Sequence, residues 1–304
     1  MNILITGSNG FLCQKLIKKL MNKSHFIIGT DKDKNILENK KNFTFLRCDI
    51  SNKAKLLKKI TLLKKKIDLI IHTAAIQPIS NDQDIKSIIL VNSFGATNIL
   101  QICKKLHIKN LIFTSSFSVY GQHKNPIKEN SIKSPQNFYG MSKMFAEEQI
   151  TLFSKRFNMN YIILRLDGIF GHKQNLPGFS KMCFEKFVKN ENIELFNSGS
   201  QIRDHVYIDD AVNSIVLSIK KLKKIKKGIF NIGGGQPISN YTRAMLIKKN
   251  LDSKSKLIKI KRSNPNISNI YLDLKRAKKI LGYEPKSVNQ NTLKYLKELT
   301  KNEK

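Results

Sequence analysis

Long apolar runs are missing from this 304-residue chain. No stretch approaches the ~18 consecutive apolar residues of a membrane-crossing helix, so no membrane span is expected. Met1 leads straight into the strand-like NILIT, without the basic region or cleavage site of a secretory leader. Cysteines are few and far apart: Cys13, Cys48, Cys103 and Cys183 form no CxxC pair and no metal-ligand spacing. They read as small buried thiols in a reducing cytoplasm, which sets aside a disulfide scaffold and a metal centre. Internal repeats and disordered linkers are absent as well.

Acidic residues are scarce beside basic ones, 22 against 55, for a formal net charge of +33. Such a charge raises the question of nucleic acid. Yet only seven of the basic residues are arginine, the residue suited to bidentate phosphate and base contacts. The lysines accompany abundant asparagine and isoleucine throughout, a bias of the whole chain and not a patch. Runs such as LLKKITLLKKK (56–66) and KKLKKIKK (220–227) read as solvated helix faces and helix ends. No dedicated nucleic-acid binding is expected.

What is present is an alternation. Apolar strand-like runs (NILIT, FIIGT, FTFLR, DLIIHTA, NLIFTSS, YIILR) are separated by amphipathic stretches such as FLCQKLIKKLMNK and SIILVNSFGATNILQICKKL. Near-continuous apolar strands with helical crossovers mean a parallel sheet covered on both faces. The expected fold is therefore α/β, a Rossmann-type doubly wound parallel sheet whose ligands lie at the carboxyl ends of the strands. Beyond residue 166 the pattern loosens into short segments, which predicts a smaller C-terminal α/β substrate-binding cap. The domains expected are 1–166, with 209–233 returning to the main sheet, and a cap of 167–208 and 234–304.

Chemistry-bearing residues gather at predicted strand ends. ITGSNGFLC (5–13) follows the first strand and opens the first helix, so Gly7 and Gly10 allow a tight turn that brings backbone N–H groups to a pyrophosphate. Cys13 stands where such loops carry a third glycine. Asp31 ends the second strand, where a carboxylate accepts hydrogen bonds from both adenine-ribose hydroxyls and repels a 2′-phosphate. This favours NAD over NADP, though Lys32 and Lys34 leave NADP open. Ser115 and Ser116 close the fifth strand. In FYGMSK (138–143), Tyr139 and Lys143 are four apart on one face of a helix. In a chain so rich in lysine that pair alone decides nothing. Beside the serines it acquires a purpose, because holding a free tyrosine as phenolate at pH 7 costs roughly 4 kcal/mol. Lys143 and an oxidised nicotinamide would together offset much of that, and Tyr139 would then take a proton from a substrate hydroxyl.

With these segments the chain resembles the extended short-chain dehydrogenase/reductase superfamily, in its NAD-dependent nucleotide-sugar epimerase/dehydratase branch, of the UDP-glucose 4-epimerase type. The resemblance runs nearly full length, through ITGSNGFL, CDI (48–50), IIHTAA (70–75), VNSFGATNIL (91–100), TSSFSVYG, YGMSK, RDHVYIDDAV (203–212), FNIGGGQPIS and LKRAKKILGYEP. It implies Ser116, Tyr139 and Lys143 as catalytic residues, with Ser115 beside the substrate. It implies cofactor contacts from Gly7, Gly10, Phe11, Leu12 and Asp31, from Asp49 and Ile50 at the adenine, from Ala74 and Ala75 along the channel, and from Asn92, Tyr139 and Lys143. Arg203 is similar to the arginine that meets the substrate diphosphate; the bland alternative is an ion pair with Asp204 or Asp209. The implied activity is NAD-dependent epimerisation of a nucleotide sugar, at C4 through a transient 4-keto intermediate, by a homodimer.

The departures matter. Phe117 and Ser118 stand where sugar 4,6-dehydratases carry acidic residues, which disfavours dehydration. Gly168 stands where the family often places an asparagine at the nucleotide phosphate. An NAD(P)H-dependent reductase of a keto-sugar or related carbonyl remains the alternative activity, and a dinucleotide-sensing or RNA-binding protein on the same fold the non-enzymatic one.

Overall fold

Short isoleucine-rich runs become strands because branched side chains pack well on a pleated, fully covered surface. In the computed structural model, which describes residues 1–37, 40–77, 84–174, 178–261 and 269–300, seven of them form one sheet. In chain order these are β1 (Asn2–Thr6), β2 (Phe26–Asp31), β3 (Phe43–Arg47), β4 (Leu69–His72), β5 (Asn110–Ser116), β6 (Asn160–Leu166) and a late strand, Lys227–Ile232. The sheet order is late strand, β6, β5, β4, β1, β2, β3. The ladders from β3 through β5 are parallel, with Leu4 opposite both Ile28 and Ile70. The direction of winding reverses between β1 and β4, and that reversal opens a ligand crevice at their carboxyl ends. The expected Rossmann-type sheet is observed, including the return of the late strand.

Two compact units divide the chain: Met1–Gly121, Asn130–Arg165 and Val212–Phe230 form the first, and the remainder forms the second. In the first unit the helices are α1 (Phe11–Met21), α2 (Lys53–Leu62), α3 (Ile85–Ile88), α4 (Gly95–Lys105) and α5 (Phe138–Phe157). Asn52 caps α2 by accepting from Lys55 N, and Asn137 caps α5 by accepting from Gly140 N. Helix α3 runs into α4 through a π-helical stretch, Ile89–Phe94, a widening that periodicity alone does not reveal. The combined helix Ile85–Lys105 is long and apolar enough to cross a membrane by length and composition. Its C-terminal part belongs to the protein core, where Ile99, Leu100, Ile102 and Cys103 join Leu4, Ile28, Ile70 and Ile163, while Leu90 and Phe94 are exposed.

The second unit is built from small pieces. Here β7 (Ile169–Phe170) pairs in parallel with β10 (Val206–Tyr207), β8 (Ile193–Phe196) with β13 (Leu257–Ile260), and β9 (Ile202–Arg203) antiparallel with β12 (Ile238–Ser239); the late strand of the main sheet is β11. Helices α6 (Phe179–Val188), α8 (Asn240–Leu251) and α9 (Val288–Thr300) lie in this unit, and α7 (Ile208–Ile225) is shared with the first. Residues Gln122–Glu129, which the sequence leaves within 1–166, pack in the second unit. Hydrogen bonds hold them there: Ile127 N donates to Tyr271 O at 3.0 Å, and Asn231 Nδ2 to Ile127 O at 2.9 Å. All four cysteines are buried and unbridged.

Ile163 on β6 is fully buried, whereas Ile132 is 78% exposed. Urea melts should therefore show Ile163→Ala losing ~2–5 kcal/mol through the cavity it leaves. Ile132→Ala should change stability by less than ~0.5 kcal/mol. Equal losses at both positions would contradict the placement of the core.

Candidate active site

The ends of β1 and β4 meet at the reversal of the sheet. Gly7 has φ +69°, and a Cβ on it would come within 2.8 Å of Ala74 Cα and 2.9 Å of Ala74 N. Neither atom is the end of a flexible side chain, so only glycine allows the two turns to touch. Thr6 ties them together. Its Oγ1 accepts from Thr73 N and Ala74 N, both at 3.2 Å, and lies 2.7 Å from His72 Nδ1. With two N–H groups pointing at that oxygen, the hydroxyl proton goes to Nδ1, which makes His72 the Nε2–H tautomer. Thr73 in turn donates to Thr6 O at 2.6 Å, so the Cys13 thiol, 2.8 Å from Thr73 Oγ1, is the donor in that contact. The cysteine in the place of the third glycine thus has a partner at the crossing.

The residues around the crossing fit a dinucleotide. Helix α1 begins at Gly10 with no side-chain cap, so the backbone N–H groups of its first turn, at Phe11, Leu12 and Cys13, have no partner within the helix. Uncapped donors at a positive helix end suit a pyrophosphate. Asp31 ends β2 with Oδ2 accepting from Asn9 N at 3.0 Å, which fixes the carboxylate beside the loop. Asp49 accepts from Ser51 N at 2.8 Å, while Ile50 is buried against Gly95, where a Cβ would come within 2.5 Å of its Cδ1. Ala74 and Ala75 are partly exposed after β4.

Ser116, Tyr139 and Lys143 come together at the carboxyl end of β5. The Ser116 hydroxyl favours the ionised form of Tyr139 and donates to Ser118 Oγ at 3.1 Å. The close approach depends on Gly140, since a Cβ there would lie 2.3 Å from Ser118 O. Ser115 is buried with its hydroxyl unpartnered. Lys143 is 2% exposed; its Nζ donates to Thr114 O at 2.9 Å and sits 4.8 Å from the centre of the Phe113 ring. Asn92, expected among the cofactor contacts, spends both N–H donors on Ile76 O and Ser142 Oγ, each at 3.0 Å, and accepts from Ile76 N at 2.7 Å. Ser142 passes the constraint on by donating to Tyr139 O at 2.7 Å. Asn92 holds other groups in place, and only its oxygen retains bonding capacity.

The electrostatics depart from expectation. Burial pushes the half-buried Tyr139 phenol up to about 12, with the Ser116 hydrogen bond acting the other way. The Lys143 ammonium is 5.9 Å from the tyrosine ring centre. Desolvation brings Lys143 down to about 7, against the opposing pull of Glu147. His72, beside Lys143, is held neutral by burial, down at about 3. In the chain alone the phenol keeps its proton.

In the second unit, Arg203 donates to Ile202 O at 3.0 Å, and Asp167 is the carboxylate whose charge favours its guanidinium. The alternative ion pairs are engaged elsewhere: Asp204 accepts from Gly235 N and Gln236 N at 3.0 and 2.9 Å, and Asp209 pairs with Lys294. Gly168 has a local explanation. A Cβ at that position would come within 2.6 Å of His205 Nδ1, so the imidazole fills the space of a side chain at 168. Thr6, His72, Ser142 and Glu147 escape a reading of the sequence, because ordinary core residues carry the same letters; only HTAA at the end of β4 hinted at one of them.

The chain matches the model of the NAD dependent epimerase/dehydratase family over residues 3–233. It is 31% identical to a putative UDP-glucose 4-epimerase of Methanocaldococcus jannaschii over 93% of each chain. It is 26% identical to a UDP-glucuronate 4-epimerase of Thermodesulfobacterium geofontis, over 96% of this chain and 93% of that one. Among solved structures it is similar to a UDP-glucose 4-epimerase of Thermotoga maritima with UDP-glucose, at TM-score 0.89 and 24% identity over the whole of both chains.

A buried lysine at about 7 binds fewer protons than its unfolded counterpart at 10.5, so between those values stability rises with pH. Lys143→Met removes that contribution. Thermal melts should show the variant's advantage over wild type constant below pH 7, then shrinking as pH rises toward 10.5. A gap independent of pH would mean that Lys143 is not desolvated.

Proposed function

The chain belongs to the NAD-dependent epimerase/dehydratase family, and on that premise we propose that it epimerises a nucleotide sugar at C4 through a transient 4-keto intermediate. The observation that carries this reading is the convergence of Ser116, Tyr139 and Lys143 at the carboxyl end of β5, with Phe117 and Ser118 where an eliminating enzyme would need a carboxylate. The relatives named as UDP-sugar 4-epimerases support it. NAD, held by the Gly7–Leu12 turn and the Asp31 carboxylate, supplies a hydride acceptor at the substrate carbon. Ser116 Oγ holds the substrate oxygen while the Tyr139 phenolate oxygen takes its proton and later gives it back. Lys143 stands at the nicotinamide ribose. With the phenol held up at about 12 in the chain alone, the positive charge of an oxidised cofactor would join that of Lys143 in bringing it down. Arg203 is the proposed diphosphate contact.

A homodimer and a cytoplasmic location belong to the same reading. Leu90 and Phe94, and Met141, Phe145 and Leu152 of α5, are 39–68% exposed. Ser93 Oγ bonds Ser142 O at 3.4 Å, which puts these two helical stretches side by side. Large apolar groups so placed suit a second copy of the chain. The four buried, unbridged thiols suit a reducing compartment.

Purified protein with NAD and a UDP-hexose should interconvert the C4 epimers to an equilibrium mixture without net change in free NADH. Tyr139→Phe should lower the rate by about 10²–10⁴ while retaining NAD. Consumption of one reduced dinucleotide per product, with no epimer formed, would assign the chain to the reductases instead. Light scattering tests the assembly: Phe94→Glu with Phe145→Glu should halve the mass, and a wild-type monomer would refute the dimer.

A further inference from the structure

We propose that Glu147, buried one helical turn beyond Lys143, is a positioning residue whose carboxylate keeps the Lys143 ammonium charged, with Arg165 holding that carboxylate in place. The inference rests on the reading of Lys143 as the cation at the nicotinamide ribose, and it adds a residue that touches neither substrate nor cofactor.

Glu147 and Lys143 lie four apart on α5 and thus on one face, at 1% and 2% exposure. Arg165, 2% exposed on β6, grips the carboxylate with Nε at 3.0 Å from Oε1 and Nη2 at 2.7 Å from Oε2. Its Nη1 donates to the buried Tyr120 hydroxyl at 2.7 Å, and Lys133 Nζ approaches Glu147 Oε2 at 3.9 Å. The guanidinium is therefore used on two sides, and the carboxylate cannot swing away from α5.

Around the ammonium itself, β5 offers a carbonyl oxygen and an aromatic face, Thr114 O and Phe113. The neighbouring β4 offers His72, a neutral ring. On α5 stand Tyr139, a protonated phenol, and Glu147. Burial alone would strip the proton from this lysine, and Glu147 is the anion whose field opposes that loss. A buried ion pair of this kind adds little net stability and is often replaceable by apolar residues. Its place beyond Lys143 is better explained by the field it exerts there.

The test uses the full-length protein and NAD itself, so it does not depend on the identity of the sugar. NAD affinity is titrated from pH 5 to 9 by calorimetry. In wild type the affinity should weaken as pH rises through about 7, the value to which Lys143 is brought down. In Glu147→Gln, which preserves shape and an acceptor for Arg165, the weakening should move about one pH unit lower. Affinities at pH 5 should agree within about threefold. A second variant, Glu147→Gln with Arg165→Gln, removes the carboxylate and its guanidinium partner together; the displacement should keep its direction and be smaller, and the variant keeps the test open if the single one does not fold. An unshifted profile in the folded variants, or uniform weakening at every pH, overturns the inference. NAD binding with the predicted shift but no epimerisation of any UDP-hexose would leave it standing and defeat the substrate reading alone. Absence of NAD binding by wild type would defeat both.

Discussion

Everything at the candidate site depends on one contact between two stretches of backbone, the touching of Gly7 and Ala74 where the sheet reverses its winding. A parallel sheet creates a crevice at such a reversal. How closely its two rims approach is decided by side-chain volume. Gly7 permits the approach; Thr73 then locks it by donating both its N–H and its hydroxyl to Thr6, and Cys13 and His72 complete the stitching. With the rims fixed, the uncapped start of α1 and the carboxylate of Asp31 are held at set positions. The positive end of that helix is one half of the logic, and the acid at the end of β2 is the other.

The second constraint is dielectric. Tyr139 and Lys143 are drawn into an environment that favours the neutral form of each, so the phenol rises to about 12 and the amine falls to about 7. Left to itself such a pair is inert as an acid–base device. The carboxylate of Glu147 acts against that loss of charge at Lys143.

The departures from the family pattern are local substitutions with local partners. Cys13 finds Thr73, and the space left by Gly168 is taken by the His205 ring, whose Nδ1 lies 3.5 Å from Asp167 Oδ1. Each change is matched by a neighbour, which is how a packed interior accommodates altered volume. Phe117 and Ser118 are of another kind, because a missing carboxylate alters which proton transfers are available.

The amino-acid order by itself determined the sheet and its sequence of strands. Period-two and period-3.6 patterns are local properties, and isoleucine-rich runs between amphipathic helices leave few other arrangements. It also determined the Gly7–Gly10 turn, Asp31, and the pairing of Tyr139 with Lys143, each set by spacing within a few residues. Only the tertiary structure decided the charge state of that pair, since desolvation is a property of the surroundings and is invisible in FYGMSK. Only it made Asn92 a brace for Ile76 and Ser142, moved 122–129 into the second unit, and set Arg165 against Glu147. Such contacts join residues from 16 to more than 100 positions apart. The reason is physical: spacing along the chain sets which face a side chain takes, while burial and partners are set by whatever the fold brings against that face.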